Sequence, residues 1–131
     1  MARNRHLTPE VFDSEASQQR CRNIRKRILD VSQKISAIHI GGSFSCVELL
    51  DVIYYGFMGK TEQGDYWDTF ILSKGHAAFV WFVTLESLGI LPSQEIDNYC
   101  SKDGILGMHP DRGTPGIVTS TGSLGHGFGM G

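Results

Sequence analysis

The sequence has no basic excess: 12 lysines and arginines stand against 14 aspartates and glutamates, a formal net charge of -2. A domain that neutralises nucleic-acid phosphates carries a marked positive balance, so nucleic acid is excluded as the main partner. No apolar run approaches the about 18 residues of a membrane span, and the N-terminus is polar rather than signal-like, so no membrane is expected. Cysteine is scarce. Cys21, Cys46 and Cys100 are odd in number, far apart and never in a Cys-x-x-Cys, which predicts reduced, core-filling thiols in a cytoplasmic protein. Internal repeats, low-complexity tracts and linkers are missing. So are a Gly-Lys-Ser/Thr triplet at Walker spacing and a Gly-x-Ser-x-Gly elbow, which removes a P-loop and a serine-hydrolase nucleophile.

What is there suits one domain: 131 residues, 40% of them hydrophobic, enough for a core. Residues 1 to 13 read as a polar arm, led by Arg3, Asn4, Arg5 and His6, and residues 14–131 as the domain itself. Cys21, Ile24, Ile28, Val31, Ile35 and Ile38 recur at steps of three and four, predicting an amphipathic helix of five or six turns that Gly41-Gly42 stops. The basic residues between them, Arg20 to Lys34, suit either a phosphate-binding face or an ordinary solvated one. Ser45-Cys46-Val47-Glu48 has the form of a capping box opening a second helix, with Val47, Leu50, Ile53, Tyr54 and Phe57 inward. Asp68 to Ser73 reads as a short buried strand. Ala77 to Leu88 is apolar round most of its circumference, an interior helix capped by Gly89, and its Trp81 and Phe82 would need covering by a second copy or a partner. A short helix with Ile96 and Tyr99 inward follows, then a long loop from Gly104 to Gly116 and a brief strand over Ile117 to Thr119. This alternation predicts an α/β layer architecture whose complete parallel sheet needs further residues.

Chemistry gathers at glycine and histidine. Between Thr119 and Gly131 five glycines lie close together, so the backbone there can turn sharply and approach a ligand where a Cβ would collide. The last residues read as a helix cut off shortly after it begins. A glycine turn opening a helix is either an anion site or a place of close helix packing. His39, His76 and His109 each sit in a turn marked by glycine or proline, and the expectation is that all three converge on that glycine loop. Other uses stay open: His39 against the carbonyls of a helix end, His76 as a buried ring, His126 as an outward helical residue. Three imidazoles also suit zinc, although no two lie three to five residues apart on one element.

Four motifs in order are more specific than any of these. His39-Ile-Gly-Gly-Ser43, Phe70-Ile-Leu-Ser-Lys-Gly-His76-Ala-Ala, Gly107-Met-His109-Pro-Asp111 and Ser120-Thr-Gly-Ser-Leu-Gly125-His-Gly127 resemble the N-terminal, diphosphate-binding domain of transketolase, and above all the short N-terminal subunit of split transketolases. The likeness runs from about Arg20 to Gly131. It implies a thiamine-diphosphate-binding α/β fold, a parallel sheet flanked by helices and incomplete in this chain, and transfer of a two-carbon ketol unit between sugar phosphates. It implies thiamine diphosphate and Mg2+ as cofactors, with His76 beside the diphosphate and thiazolium and Gly122, Ser123 and Leu124 near the aminopyrimidine. His39 and His109 would face the substrate. His126 stands where the family usually has glutamine. The Gly-Asp-Gly segment through which transketolases bind the metal does not occur, so metal ligands are expected outside this chain, and a C-terminal transketolase subunit or domain is the expected partner in a homo- or hetero-oligomer. The chain alone is expected to be inactive. The competing reading is a non-catalytic assembly module derived from the same fold.

Overall fold

The computed structural model describes residues 12–131. Residues 1–11 of the polar arm lie outside the described residues. Asp13 caps a helix: its carboxylate accepts from the amides of Glu15 and Ala16, both at 3.0 Å, satisfying two free donors at the start of α1, Ser14–Ser32. The apolar period holds through Cys21, Ile24, Ile28 and Val31, all buried, but does not carry the helix to Ile38. At Ser32 the hydroxyl donates back to the Leu29 carbonyl at 2.8 Å, and Ile35 and Ile38 pack on the core from the segment beyond. Gly41 and Gly42 therefore end nothing. They lie inside α2, Ile40–Phe44, with His39 at its N-terminal end, so the reading of His39 against the carbonyls of a helix end is overturned.

α3, Val47–Val52, continues into one π-helical turn, Ile53–Phe57. The capping box does not form, because Ser45 Oγ donates to the Gly42 carbonyl at 2.8 Å and Glu48 is drawn to Arg25 of α1 at 2.7 Å. The wider π turn changes the helical phase, leaving Val47, Leu50 and Tyr54 inside and Phe57 exposed, against expectation. Part of the basic face of α1 is engaged inside the fold, while Arg22, Lys26 and Lys34 are exposed to solvent. Arg20 pairs with Asp51 of α3, Arg25 with Glu48, and Arg27 with both Glu86 and Asp97, so these cations tie α1 to its neighbours.

The centre is α4, Ala78–Ser87, entered through the 3-10 turn Gly75–Ala77. Every residue from Ala78 to Leu85 is buried, as a helix apolar on all sides requires, and α1, α2, α3 and α5 pack around it. Burial of Phe79, Val80, Phe82 or Leu85 contributes about 1.5–3 kcal/mol each. Trp81 and Phe82 are thus covered within the chain, which removes the expected need for a partner on this helix. Trp81 Nε1 donates to the Tyr54 hydroxyl at 2.6 Å, and burial pushes the Tyr54 phenol up to about 12. Gly89 ends α4 as predicted. At φ 73° it lets its amide reach the Glu86 carbonyl (2.9 Å) and Ile90 N–H reach that of Leu85 (3.0 Å), the paired bonds of a Schellman motif. α5, Ser93–Asp97, brings Ile96 and then Tyr99 inward, and α6, His126–Met130, opens after the glycine turn.

Among the described residues no strand forms. Asp68 to Ser73 and Ile117 to Thr119 are irregular, and pairing is confined to isolated bridges between Lys60 and Tyr66 and between Arg112 and Thr114. A strand persists only where a neighbour takes its ladder hydrogen bonds. Here the carbonyl of Leu72 takes a threonine hydroxyl instead. The expected parallel sheet is not found in these residues.

Candidate functional site

Four segments meet beside the start of α4: the entry to α2, the stretch from Leu72 to His76, the turn at His109 and the glycine turn before α6. Two glycine contacts join them. A Cβ on Gly75 would lie 2.8 Å from Gly122 N and 2.9 Å from Gly122 Cα, so the backbones touch there with nothing between them. A Cβ on Gly127 would lie 2.7 Å from Ser73 Cα, which seats α6 directly on the same strip of chain. Here Gly75 and Gly127 serve close packing, one of the two uses the sequence left open.

The histidines take their places from this frame. His39 and His76 stack edge to face with ring centroids 5.7 Å apart, over Gly42, whose missing Cβ would lie 3.5 Å from His76 Cδ2 and 3.8 Å from His39 Cβ. His109 lies over the other side of the junction, its Cδ2 3.8 Å from where a Cβ of Gly122 would be. His39 and His76 thus meet over Gly42 and His109 reaches the same junction at Gly122, with His39 and His109 exposed and His76 half-buried rather than enclosed. Ser123 and Leu124 follow Gly122 at the open rim, Leu124 strongly exposed. His126 is exposed at the first position of α6.

Polar residues without a clear signal in the sequence complete the site. Lys74 Nζ donates to Ser45 Oγ at 3.0 Å, beside the α2 entry. Arg112 N–H donates to Ser120 Oγ at 2.9 Å, and the Ser120 hydroxyl to Asp111 at 3.4 Å. Thr121, 5% exposed, donates its hydroxyl to the Leu72 carbonyl at 2.7 Å and its amide to the Pro110 carbonyl at 3.2 Å. None of these bonds uses an imidazole nitrogen. Among the described residues the amides of Gly122, Ser123 and Leu124 donate to no protein acceptor, and Ser43, fully buried beyond Gly42, has a hydroxyl without a partner. Lys74, Ser45 and Thr121 lie inside or next to the quoted motifs, but their residue types are those of any polar turn. Only their partners across the fold distinguish them.

The site can present imidazole nitrogens to oxygen atoms, and free amides to an anion, on a surface that side chains do not obstruct. Metal chemistry needs more. No group of three or more His, Cys, Asp or Glu among the described residues could hold a metal ion, zinc included. No helix among the described residues is long and apolar enough to cross a membrane.

Comparison with known proteins gives the family. Residues 16–131 match the family described as transketolase, thiamine diphosphate binding domain. Among relatives, the chain is 37% identical over 111 residues to an apulose-4-phosphate transketolase subunit from Phocaeicola vulgatus, covering 82% of this chain and 39% of that protein. It is 36% identical over 109 residues to the 6-deoxy-6-sulfo-D-fructose transketolase subunit SqwG of a Clostridium species, covering 80% and 40%. Transketolase 2 of Escherichia coli is 33% identical over 110 residues, covering 80% of this chain and 16% of that protein. The chain thus spans about two-fifths of the length of the first two relatives. On the match across nearly all of its length, this chain belongs to the transketolase family, within the thiamine diphosphate binding domain.

Proposed function

We propose that this chain forms the N-terminal portion of a transketolase-type transferase that holds thiamine diphosphate at the meeting of Gly75 and Gly122, and that it works only when completed by a C-terminal transketolase subunit or domain. The observation that carries the reading is that junction, where Gly75, the residue before His76, touches Gly122, with the His39 and His76 ring centroids 5.7 Å apart. The residues present suit the organic cofactor. A floor without side chains, free amides at Gly122, Ser123 and Leu124, and imidazoles with unused nitrogens match a flat, polar, anionic molecule. They do not suit its metal, for which the described residues supply no ligand set, so Mg2+ would take its ligands from residues outside this chain.

When bound, thiamine diphosphate supplies the carbanion stabilisation that no side chain offers. The chain's own part is orientation. His76, inside the Gly75–Ala77 turn and over Gly42, would border the diphosphate and thiazolium, while Gly122, Ser123 and Leu124 would border the aminopyrimidine. His39 and His109, both exposed, donate hydrogen bonds to hydroxyl or carbonyl oxygens of a sugar phosphate as charge shifts during carbon bond cleavage. A homo- or hetero-oligomer in the cytoplasm is the setting that goes with this reading. The strand-like stretch before Gly75 would join a parallel sheet supplied by the rest of the assembly. Two relatives are named as transketolase subunits, which supports a two-chain arrangement.

Calorimetric titration of thiamine diphosphate with Mg2+, first into the chain alone and then with a C-terminal transketolase subunit, tests the proposal. The expected result is binding and ketol transfer that appear once both polypeptides are present. Turnover by the isolated chain would refute the dependence on a partner. Absence of binding in both mixtures would refute the cofactor reading and leave an assembly module.

A further inference from the structure

Two kinds of contact hold the candidate site together, and they differ in what they specify. The glycine contacts at Gly75 and Gly127 permit the segments to touch, but backbone in contact with backbone can slide. Hydrogen bonds have direction. Among the described residues, the one that makes such bonds to both the His76 and the His109 segments is Thr121. Its hydroxyl reaches Leu72 at 2.7 Å, four residues before His76, and its amide reaches Pro110 at 3.2 Å, the residue after His109. Its own carbonyl begins the peptide to Gly122. At 5% exposure, water cannot readily replace either bond.

We propose that Thr121 is a positioning residue, holding the His76 segment, the His109 turn and the Gly122 loop in one register, so that the three parts of the site move together or not at all. It touches no reacting atom, and its importance for cofactor binding rests on the functional reading above. Thr121→Val keeps the shape and removes the hydroxyl; Thr121→Ser keeps the hydroxyl and loses a methyl group.

The first readout needs no cofactor. In the isolated chain, the ring-proton resonances of His76 and His109 should shift or broaden in Thr121→Val and stay in place in Thr121→Ser, while the Trp81 indole N–H, deep in the core, stays unchanged in both. A role in stability alone would lower the melting temperature and leave the folded-state ring resonances where they were. In the assembly with a C-terminal subunit, Thr121→Val should bind thiamine diphosphate about tenfold more weakly, the scale of one buried hydrogen bond, and Thr121→Ser about as tightly as wild type. A folded Thr121→Val with wild-type ring resonances overturns the proposal, as does Thr121→Ser with displaced rings. Should Thr121→Val fail to fold, amide hydrogen exchange in the wild-type chain decides: residues 72–77, 109–112 and 121–124 must open together on warming, and independent opening overturns it. A wild-type assembly that binds no cofactor counts against the functional reading alone, because the ring and exchange measurements judge Thr121 without it.

Discussion

At the scale of single residues, the glycines of this chain are not equivalent, and the difference is measurable. A methyl group on Gly75 would meet backbone atoms of Gly122 at 2.8–2.9 Å, where no flexible side chain can move aside. A methyl group on Gly41, inside α2, would meet nothing within 4 Å. Gly75→Ala should therefore cost about 1–3 kcal/mol of stability, as overpacking does, and move His76 away from the glycine turn. Gly41→Ala should be neutral or stabilising by up to about 1 kcal/mol, because alanine is the better helix former. Urea unfolding of the two variants, side by side, checks both. Equal effects would mean that the two backbones are not in contact.

At the scale of elements, helices are held to one another by buried charge as well as by apolar surface. Asp51 on α3 is completely buried. It accepts from Ser17 Oγ at 2.6 Å and from Arg20 through Nε and a second guanidinium nitrogen at 2.6 and 3.0 Å, which raises the Arg20 guanidinium above its ordinary value. Removing one member of such a pair strands the other. Asp51→Asn should destabilise the chain by about 2–3 kcal/mol, below the full cost of a stranded buried charge because Arg20 keeps a quarter of its side chain in water. Adding Arg20→Met should restore part of that loss in a double-mutant cycle. Purely additive losses in denaturant melts would show that the two side chains act independently. Arg25 with Glu48, both more exposed, should contribute little.

At the scale of the whole molecule, the aromatic groups around α4 make stability depend on alkaline pH. Tyr54 is raised to about 12 from an ordinary 10, mainly by burial, and burial raises Tyr66 and Tyr99 too. In the unfolded chain these phenols ionise first, so the folded state loses ground as they do. The contribution is complete below about pH 10 and falls away as pH rises towards about 12, by about 2–3 kcal/mol for Tyr54 alone. Urea midpoints should be flat on the acid side of that window and decline through it. A flat profile across the window would mean that the phenol stays in contact with water.

The sequence by itself determined where the apolar surface lies and which short stretches carry the family's motifs. The spacing of Cys21, Ile24, Ile28 and Val31, the unbroken apolar run of α4, the stop at Gly89 and the inward Ile96 and Tyr99 are consequences of local period and of glycine's access to positive φ, which need no knowledge of the rest of the chain. The four motifs with His39, His76, His109 and Gly122 were legible for the same reason: their residue types are unusual at those spacings. Where α1 stops, whether Glu48 caps α3 or pairs with Arg25, and whether the stretch before Gly75 becomes a strand were settled by what stands across from each group. A hydrogen-bonding group takes the best partner within reach, and distance along the chain does not reveal who that is. Thr121 is the plainest case: one threonine in a polar turn by sequence, and by tertiary structure the link between three segments, because only the fold brings Leu72 and Pro110 within reach of it.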